Sequence, residues 1–498
     1  MGVILKQSLR GTVVTYLGAF IGFLTTFFIT VTYLTAEEIG LTRVLFEAAL
    51  LLSTFAILGV HTSSIRYYPY FKREDGQERG FLSLMLLFPL LGVVLFGLLY
   101  ILLEVPISSY FSKNSSLFVQ YYYMVLPLML FLLYQNLLEV YSSIKQKIVV
   151  PRFHKEVTQR LLLIGVYVGY ATFNLTLDAF IWIFVGSYGL VALLQFGYVS
   201  RLSPYALKER IEFPKEQKRD FLNYTLLVVL SALGGSIFSR LDIFMVSAKM
   251  GLNYAGIYTI AFFIVAIIEI PSRSLLAITA PIASEALKNK DTLKLQDLYK
   301  KVALYQLFVG GFIFLLIWVN IDFIFTIIPN SQIYSQGKWV VFYLGLSKLV
   351  EITFNFGNSV IRYSRYYYYT ILITFLLTIL TILTNNYFIP LLGMTGASIA
   401  TLITCFISYT ISQFIIKIKL GVSPFSGRFA LLFVIIGILL VSHSLWKMEA
   451  IGGNIWFDAI VKSFIFVAVP VAMVLRLKML PELSQYISNL YKNFRKRV

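Results

Sequence analysis

Along most of the chain the hydrophobic positions come in blocks rather than in stripes. Runs of about 20 apolar residues are separated by short segments that collect Lys, Arg, Gly and Pro. A block of that length matches the helix needed to cross the hydrocarbon core of a bilayer. Inside that core a helix satisfies its own backbone hydrogen bonds, which an isolated strand cannot do. The blocks therefore predict an all-α polytopic membrane protein with about 14 transmembrane helices. In chain order the spans are about 11 to 34, 39 to 60, 81 to 103, 118 to 142, 157 to 173, 179 to 200, 222 to 248, 254 to 280, 302 to 327, 339 to 361, 369 to 389, 393 to 416, 429 to 446 and 457 to 476. The fifth and thirteenth are the shortest. Connecting segments are brief, which leaves no room for a separate soluble domain.

Charge fixes the direction of the first span. The sequence has 42 Lys and Arg against 24 Asp and Glu, a net charge of +18. Cytoplasmic loops carry the excess of Lys and Arg. With the N-terminus inside, 33 of the 42 fall on the cytoplasmic side, and the external side holds Lys113, Lys249, Lys338, Lys447 and Lys462. Arg43, Arg240, Arg273 and Lys348 lie within spans. One missed helix would swap the side of every later loop, so this partition supports both the count and a multi-pass inner-membrane protein with both termini cytoplasmic. The positive charge then faces an anionic inner leaflet, and no nucleic-acid partner is needed to explain it. The first apolar run is a full span without a small-residue cleavage pattern, so no cleavable signal is expected.

Catalytic and cofactor chemistry finds no foothold. Cys405 is the one cysteine and falls inside a span, and the three histidines, His61, His154 and His443, have no metal-ligand spacing. No cofactor, metal site or catalytic residue is expected, and the protein reads as a non-enzyme.

The chain also overlies itself. A shift of 216 residues places Gly18 on Gly234 and Gly40 on Gly256, with TAEEIGLTRVLF from Thr35 over GLNYAGIYTIAF from Gly251. Spans one and two then fall on seven and eight, an even offset, which means a parallel repeat about an axis along the membrane normal. The expected organisation is an N-terminal lobe of six spans over residues 1–210, a C-terminal lobe of six over 211–420, two additional spans over 421–476, and a basic amphipathic tail over 477–498. In that tail Leu483, Ile487, Leu490, Tyr491 and Phe494 recur at helical spacing beside basic residues, a pattern suited to the inner leaflet surface.

Charges within spans are the candidate chemistry, because each costs ~2.5 to 3.5 kcal/mol at a helix centre by insertion scales unless it pairs or faces water. Arg43 with Glu47 and Glu269 with Arg273 are four apart, and Lys348 with Glu351 three apart, so each set shares a helical face. Arg240 and Asp242 are two apart. On one continuous helix that is a turn of about 200°, which sends them to opposite sides. Arg240 then either looks into an aqueous cleft or pairs across helices, Glu47 being one available partner. Candidate substrate-binding groups are Arg43, Arg240, Arg273 and Lys348; candidate ion-coupling acids are Glu47, Asp242, Glu269 and Glu351. Tyrosine clusters at 67, 68 and 70, at 121 to 123, and at 363 and 366 to 369 fit interfacial belts.

Three segments carry a resemblance. They are EEIGLTRVLFEAALLLSTFAILGV followed by IRYYPYF, RLDIFMV followed by AGIYTIAFFIVAIIEIPSRSLLAITAP, and NYFIPLLGMTGASIATLI. In this order, with six plus six plus two spans, the chain resembles the MOP (multidrug/oligosaccharidyl-lipid/polysaccharide) superfamily and its polysaccharide-flippase branch of the O-antigen type. The resemblance implies a flippase that moves an undecaprenyl-pyrophosphate-linked oligosaccharide from the inner to the outer leaflet by alternating access, for surface polysaccharide or lipopolysaccharide synthesis. Its implied partners are the polyprenyl-pyrophosphate-linked glycan, the phospholipid membrane and a glycan polymerase or other assembly protein. The lipid II flippase group is similar in using cavity arginines on spans two and eight, which Arg43 and Arg273 match by position. That group also has arginine on its first span, and multidrug exporters of the superfamily tend to have an acid there; this first span carries neither. The alternatives are a cation-coupled multidrug or small-molecule exporter of the same superfamily, and a non-translocating scaffold or glycan polymerase.

Overall fold

The computed structural model describes residues 2–72, 78–204, 209–213, 217–445, 454–477 and 479–480, with side chains at 2–10, 12, 227 and 230–236 excepted. From residue 481 on, the expected amphipathic tail lies outside these residues. Among the described residues the chain is helical throughout and contains no strand.

Fourteen long helices run in sequence: α1 (2–33), α2 (36–71), α3 (Phe81–Leu102), α4 (122–144), α5 (149–172), α6 (Leu177–Leu202), α7 (218–250), α8 (252–288), α9 (Thr292–Val319), α10 (Lys338–Tyr363), α11 (368–392), α12 (394–420), α13 (Gly427–Ser444) and α14 (455–476). Among the described residues eleven helical stretches are long and apolar enough to cross a membrane. One of them, Tyr368–Leu420, is two spans joined at Gly393, whose φ of 60° and ψ of −141° are not helical. Two further helices, α5 and α7, complete the fourteen; α5 carries Arg152, Lys155, Glu156 and Arg160 in its first half. The protein is thus a multi-pass membrane protein.

Local signals explain several boundaries. Thr35 caps α2 through a reciprocal pair: its side chain accepts from the Glu38 amide while the Glu38 carboxylate accepts from the Thr35 amide at 2.8 Å. Gly59, at φ 72°, breaks α2, and a Cβ there would sit 2.8 Å from the carbonyl oxygen of Thr225. Only glycine combines that backbone with so close an approach to α7. The expected single seventh span is in fact two helices, Lys218–Phe238 and Leu241–Met250, parted at Ser239 and Arg240. Helix α5 begins at Val149, well before the apolar block expected from about 157.

By packing, the chain forms two compact units, Met1–Thr259 and Ile260–Val498. This division follows contacts and is distinct from the division expected from the sequence overlay near residue 210. In the first unit α2 lies against α3, α4 and α7, α6 against α4 and α5, and α1 against α5. In the second, α9 is central and lies against α8, α10, α13 and α14, which ties the last two helices to that unit.

The residues that the 216-residue shift superposes touch each other. A Cβ on Gly40 would overlap the carbonyl oxygen of Leu252, and one on Gly256 would overlap that of Ala36. Leu252 is itself the counterpart of Ala36 under the same shift. The two glycines thus make the same kind of contact, each against the helix that carries the other. Several tyrosines expected at interfaces are instead core residues: Tyr67 and Tyr122 are each 1% exposed and Tyr121 is 5% exposed. Tyr122 stacks on Tyr100 at 4.1 Å between ring centroids. Tyr123, Tyr363, Tyr367 and Tyr368 do lie exposed.

Candidate functional site

In the first unit three sequence-predicted residues converge. Arg43 and Glu47, one turn apart on α2, pair at 2.6 Å, and Nε of Arg240 lies 2.9 Å from the other Glu47 oxygen. One carboxylate therefore serves two arginines. Glu47 and Arg240 are mostly buried, with side chains 9% and 13% exposed, and Arg43 is somewhat more open at 21%.

Arg240 reaches Glu47 because α7 breaks there. The sequence expectation of a 200° helical separation from Asp242 assumed a continuous helix, and Arg240 instead occupies the break, with φ −121° and ψ −7°. The two charges still part company. Asp242, in the first turn of the following helix, accepts a hydrogen bond from the Tyr258 hydroxyl at 2.8 Å. The structure thus realises the cross-helix pairing of Arg240.

In the second unit the other four candidates form a chain. Glu269 bonds Arg273 at 3.2 Å, Lys348 approaches Glu269 at 3.5 Å, and Lys348 bonds Glu351 at 2.8 Å. Both local pairs expected from spacing are present, and Lys348 additionally links α10 to the turn before α8 continues at Ile270. Arg273 is 75% exposed while Lys348 is 18% exposed. This set balances two cations with two anions. Cys405, inside α12, is buried. Among the described residues no group of His, Cys, Asp and Glu could hold a metal ion.

Sequence reading counted Arg160 with the loop before the fifth span. In the structure Arg160 falls in the middle of α5, because the helix starts eight residues earlier than the apolar block. Its guanidinium donates to the Gly18 carbonyl of α1 and pairs with Glu156 at 3.2 Å. A signal was available: Gly18 and Gly22 form a small-residue notch on α1, and a Cβ on Gly22 would overlap this guanidinium.

Solved structures share this helical order. The fold is that of the MOP-superfamily transporters. One, "Lipid II flippase MurJ, inward closed conformation", superposes with a TM-score of 0.70 at 13% identity, covering 94% of this chain and 99% of that one. A multidrug resistance MATE family transporter in an inward-facing conformation gives 0.64 at 16% identity over 79% of this chain and 92% of its own. A MOP superfamily transporter from Pyrococcus furiosus gives 0.56 at 14% identity over 84% and 95%. No family model and no curated protein matches the sequence. These neighbours are transporters and a flippase rather than enzymes, and at such identities they speak for the fold alone.

Proposed function

We propose that this protein is a flippase for a polyprenyl-pyrophosphate-linked oligosaccharide, carrying it from the inner to the outer leaflet of the cytoplasmic membrane for surface polysaccharide synthesis. The observation that carries the reading is the convergence of Arg43 and Arg240 on one carboxylate, Glu47, held on helices of a transporter fold. An arginine fork is suited to phosphate oxygens. Two guanidinium groups gathered in one place favour an anionic headgroup, whereas an exporter of organic cations would meet repulsion there. The fold shared with a lipid II flippase supports a lipid-linked substrate.

In this reading the two six-helix lobes, residues 1–210 and 211–420, rock about the Gly40 and Gly256 contact. Both termini are cytoplasmic, α13 and α14 border the polyprenyl tail, and a glycan polymerase receives the product. Arg273 and Lys348 supply further cations in the second lobe, and Glu47, Asp242, Glu269 and Glu351 are the acids available for ion coupling. Deleting the gene should cause polyprenyl-linked repeat units to accumulate inside the cell and surface glycan to disappear, without new sensitivity to cationic dyes. Dye sensitivity with intact surface glycan would refute the flippase and favour a cation exporter.

A further inference from the structure

We infer that the second unit binds an anionic phospholipid headgroup at its basic end, where the α10–α11 and α12–α13 turns gather Arg362, Arg365, Lys417, Lys419 and Arg428. The ligand is a phospholipid of the surrounding membrane, held at the lipid-facing surface, and the inference is independent of what the protein carries.

This end of the unit is set apart in the sequence. Between Glu351 and Glu449 there is no Asp or Glu, and five of the six Lys and Arg in that interval fall in two short stretches, 362–365 and 417–428. All five are exposed, and among the described residues none of them pairs with an acid. Cations at other turns do meet acids: Lys145 with Glu78, Lys155 with Glu139 at 2.8 Å, and Lys294 with Glu285 at 3.7 Å.

Packing brings the two turns together. Nζ of Lys419, at the end of α12, lies 6.0 Å from the centre of the Tyr366 ring. The Arg365 guanidinium lies 4.9 Å from the same ring and donates to the Tyr366 hydroxyl at 2.7 Å. The α12–α13 turn is fixed on α10 by Phe354, whose ring centre lies 6.0 Å from that of Phe425 and 6.1 Å from that of Phe429. Packing of Phe429 places its neighbour Arg428 at this same end. Arg365 has five N–H donors and spends one on Tyr366, so its fork keeps donors for phosphate oxygens.

Helix ends account for only part of this charge. Cations in the last turn of a helix complement its negative end, which explains Arg362, Lys417 and Lys419. Arg428 instead lies in the first turn of α13, and Arg365 stands just ahead of α11. Neither helix has an acid in its first turn, so both arginines meet the positive end of a helix. That placement is unfavourable until an anion joins them.

The surroundings select a lipid over a soluble anion. Tyr367 and Tyr368 beside the cations are exposed, and so are Phe414 and Ile418, one turn apart on α12. Exposed tyrosines of a membrane protein sit at headgroup depth, and the apolar pair on α12 continues into the acyl region. Cations for a phosphate therefore adjoin a surface for its chains.

The test uses the full-length purified chain in detergent micelles. Dioleoylphosphatidylglycerol, dioleoylphosphatidylcholine and glycerol phosphate are titrated separately, and bound ligand is counted by native mass spectrometry. Wild type should hold phosphatidylglycerol about tenfold more tightly than phosphatidylcholine, the order expected of two basic residues near one anionic headgroup. The double variant Arg365→Gln, Lys419→Gln and the single variant Arg428→Gln should each lose severalfold of that preference and keep the phosphatidylcholine affinity. These side chains are exposed, so the melting temperature should stay at the wild-type value; if the double variant does not fold, Arg428→Gln decides. Lys294→Gln removes the same charge from a cation that already pairs with Glu285 and should keep the preference within about twofold. An equal loss in Lys294→Gln would reduce the effect to net charge and overturn the site. Wild type that holds both lipids equally, or glycerol phosphate as tightly as phosphatidylglycerol, would also overturn it. Unchanged phosphatidylglycerol binding in the folded variants would refute the lipid site and favour an acidic protein segment as the occupant, with the flippase reading left standing.

Discussion

The shared carboxylate makes an asymmetric prediction about stability. At 2.6 and 2.9 Å, each arginine is attracted to Glu47 by about 6 kcal/mol in gross Coulomb energy at an effective dielectric of about 20. Desolvation cancels most of that. What matters on mutation is which charge is left alone. Glu47→Gln strands two cations, and removing one partner of a buried pair costs ~3 to 5 kcal/mol. Arg240→Gln leaves Glu47 still paired with Arg43, so the loss is only that of a charged contact, ~1.5 to 3 kcal/mol. The acid should therefore be the more damaging position although it is one residue against two. Equilibrium unfolding in mixed micelles, alongside membrane abundance, would measure both. The triple change Glu47→Gln, Arg43→Gln and Arg240→Gln should recover most of what Glu47→Gln alone loses, because no charge remains unpaired. Equal destabilisation by Arg240→Gln and Glu47→Gln, or no recovery in the triple variant, would refute a carboxylate shared between two arginines. The same asymmetry has a use. Because Arg240→Gln should leave a folded and abundant protein, a loss of transport in it reports lost recognition of the substrate.

Other expectations follow from particular contacts. Lys348→Met should destabilise by stranding Glu351, with Glu269 still held by Arg273, and adding Glu351→Gln should restore the melting temperature; no restoration would show that Lys348 matters for something other than that charge. Gly256→Val should cost ~1 to 3 kcal/mol of overpacking by forcing α8 off the Ala36 carbonyl, visible as lowered abundance, and wild-type abundance would mean that the axis contact is loose. For orientation, cysteines at Lys113 and the exposed Asn330 should react with an impermeant external thiol reagent and one at Lys290 should not; the opposite pattern would invert the topology.

Most of the helical order is legible in the sequence because burial in lipid demands long apolar blocks, and such blocks survive any tertiary detail. Gly40 and Gly256, which the sequence overlay aligns, are both fixed by backbone contact, where no other residue fits. What stays hidden is the fine geometry inside a span. No Gly or Pro marks the break at Ser239 and Arg240, so a reader of the sequence assigns Arg240 to a continuous helix and derives its direction from the wrong angle. The local pairs, Arg43 with Glu47 and Lys348 with Glu351, can be read from spacing alone. Their third partners, Arg240 and Glu269, come from other segments and cannot.

Arg160 shows how a hydropathy pattern misplaces a charge. The stretch VVPRFHKEVTQR is too polar to join an apolar block, so the fifth span was expected to begin only at about 157 and Arg160 to count with the loop before it. The structure continues the helix back to Val149, which puts Arg160 at its middle. A membrane helix can carry those polar residues when neighbours satisfy them, and here Glu139 takes Lys155 at 2.8 Å while Glu156 takes Arg160. Charges that pair within the bundle look like loop residues to any measure of average hydropathy. The charged residues of a transport path are of this kind, so the part of the sequence that reads least like a membrane span is where its interior chemistry should be sought.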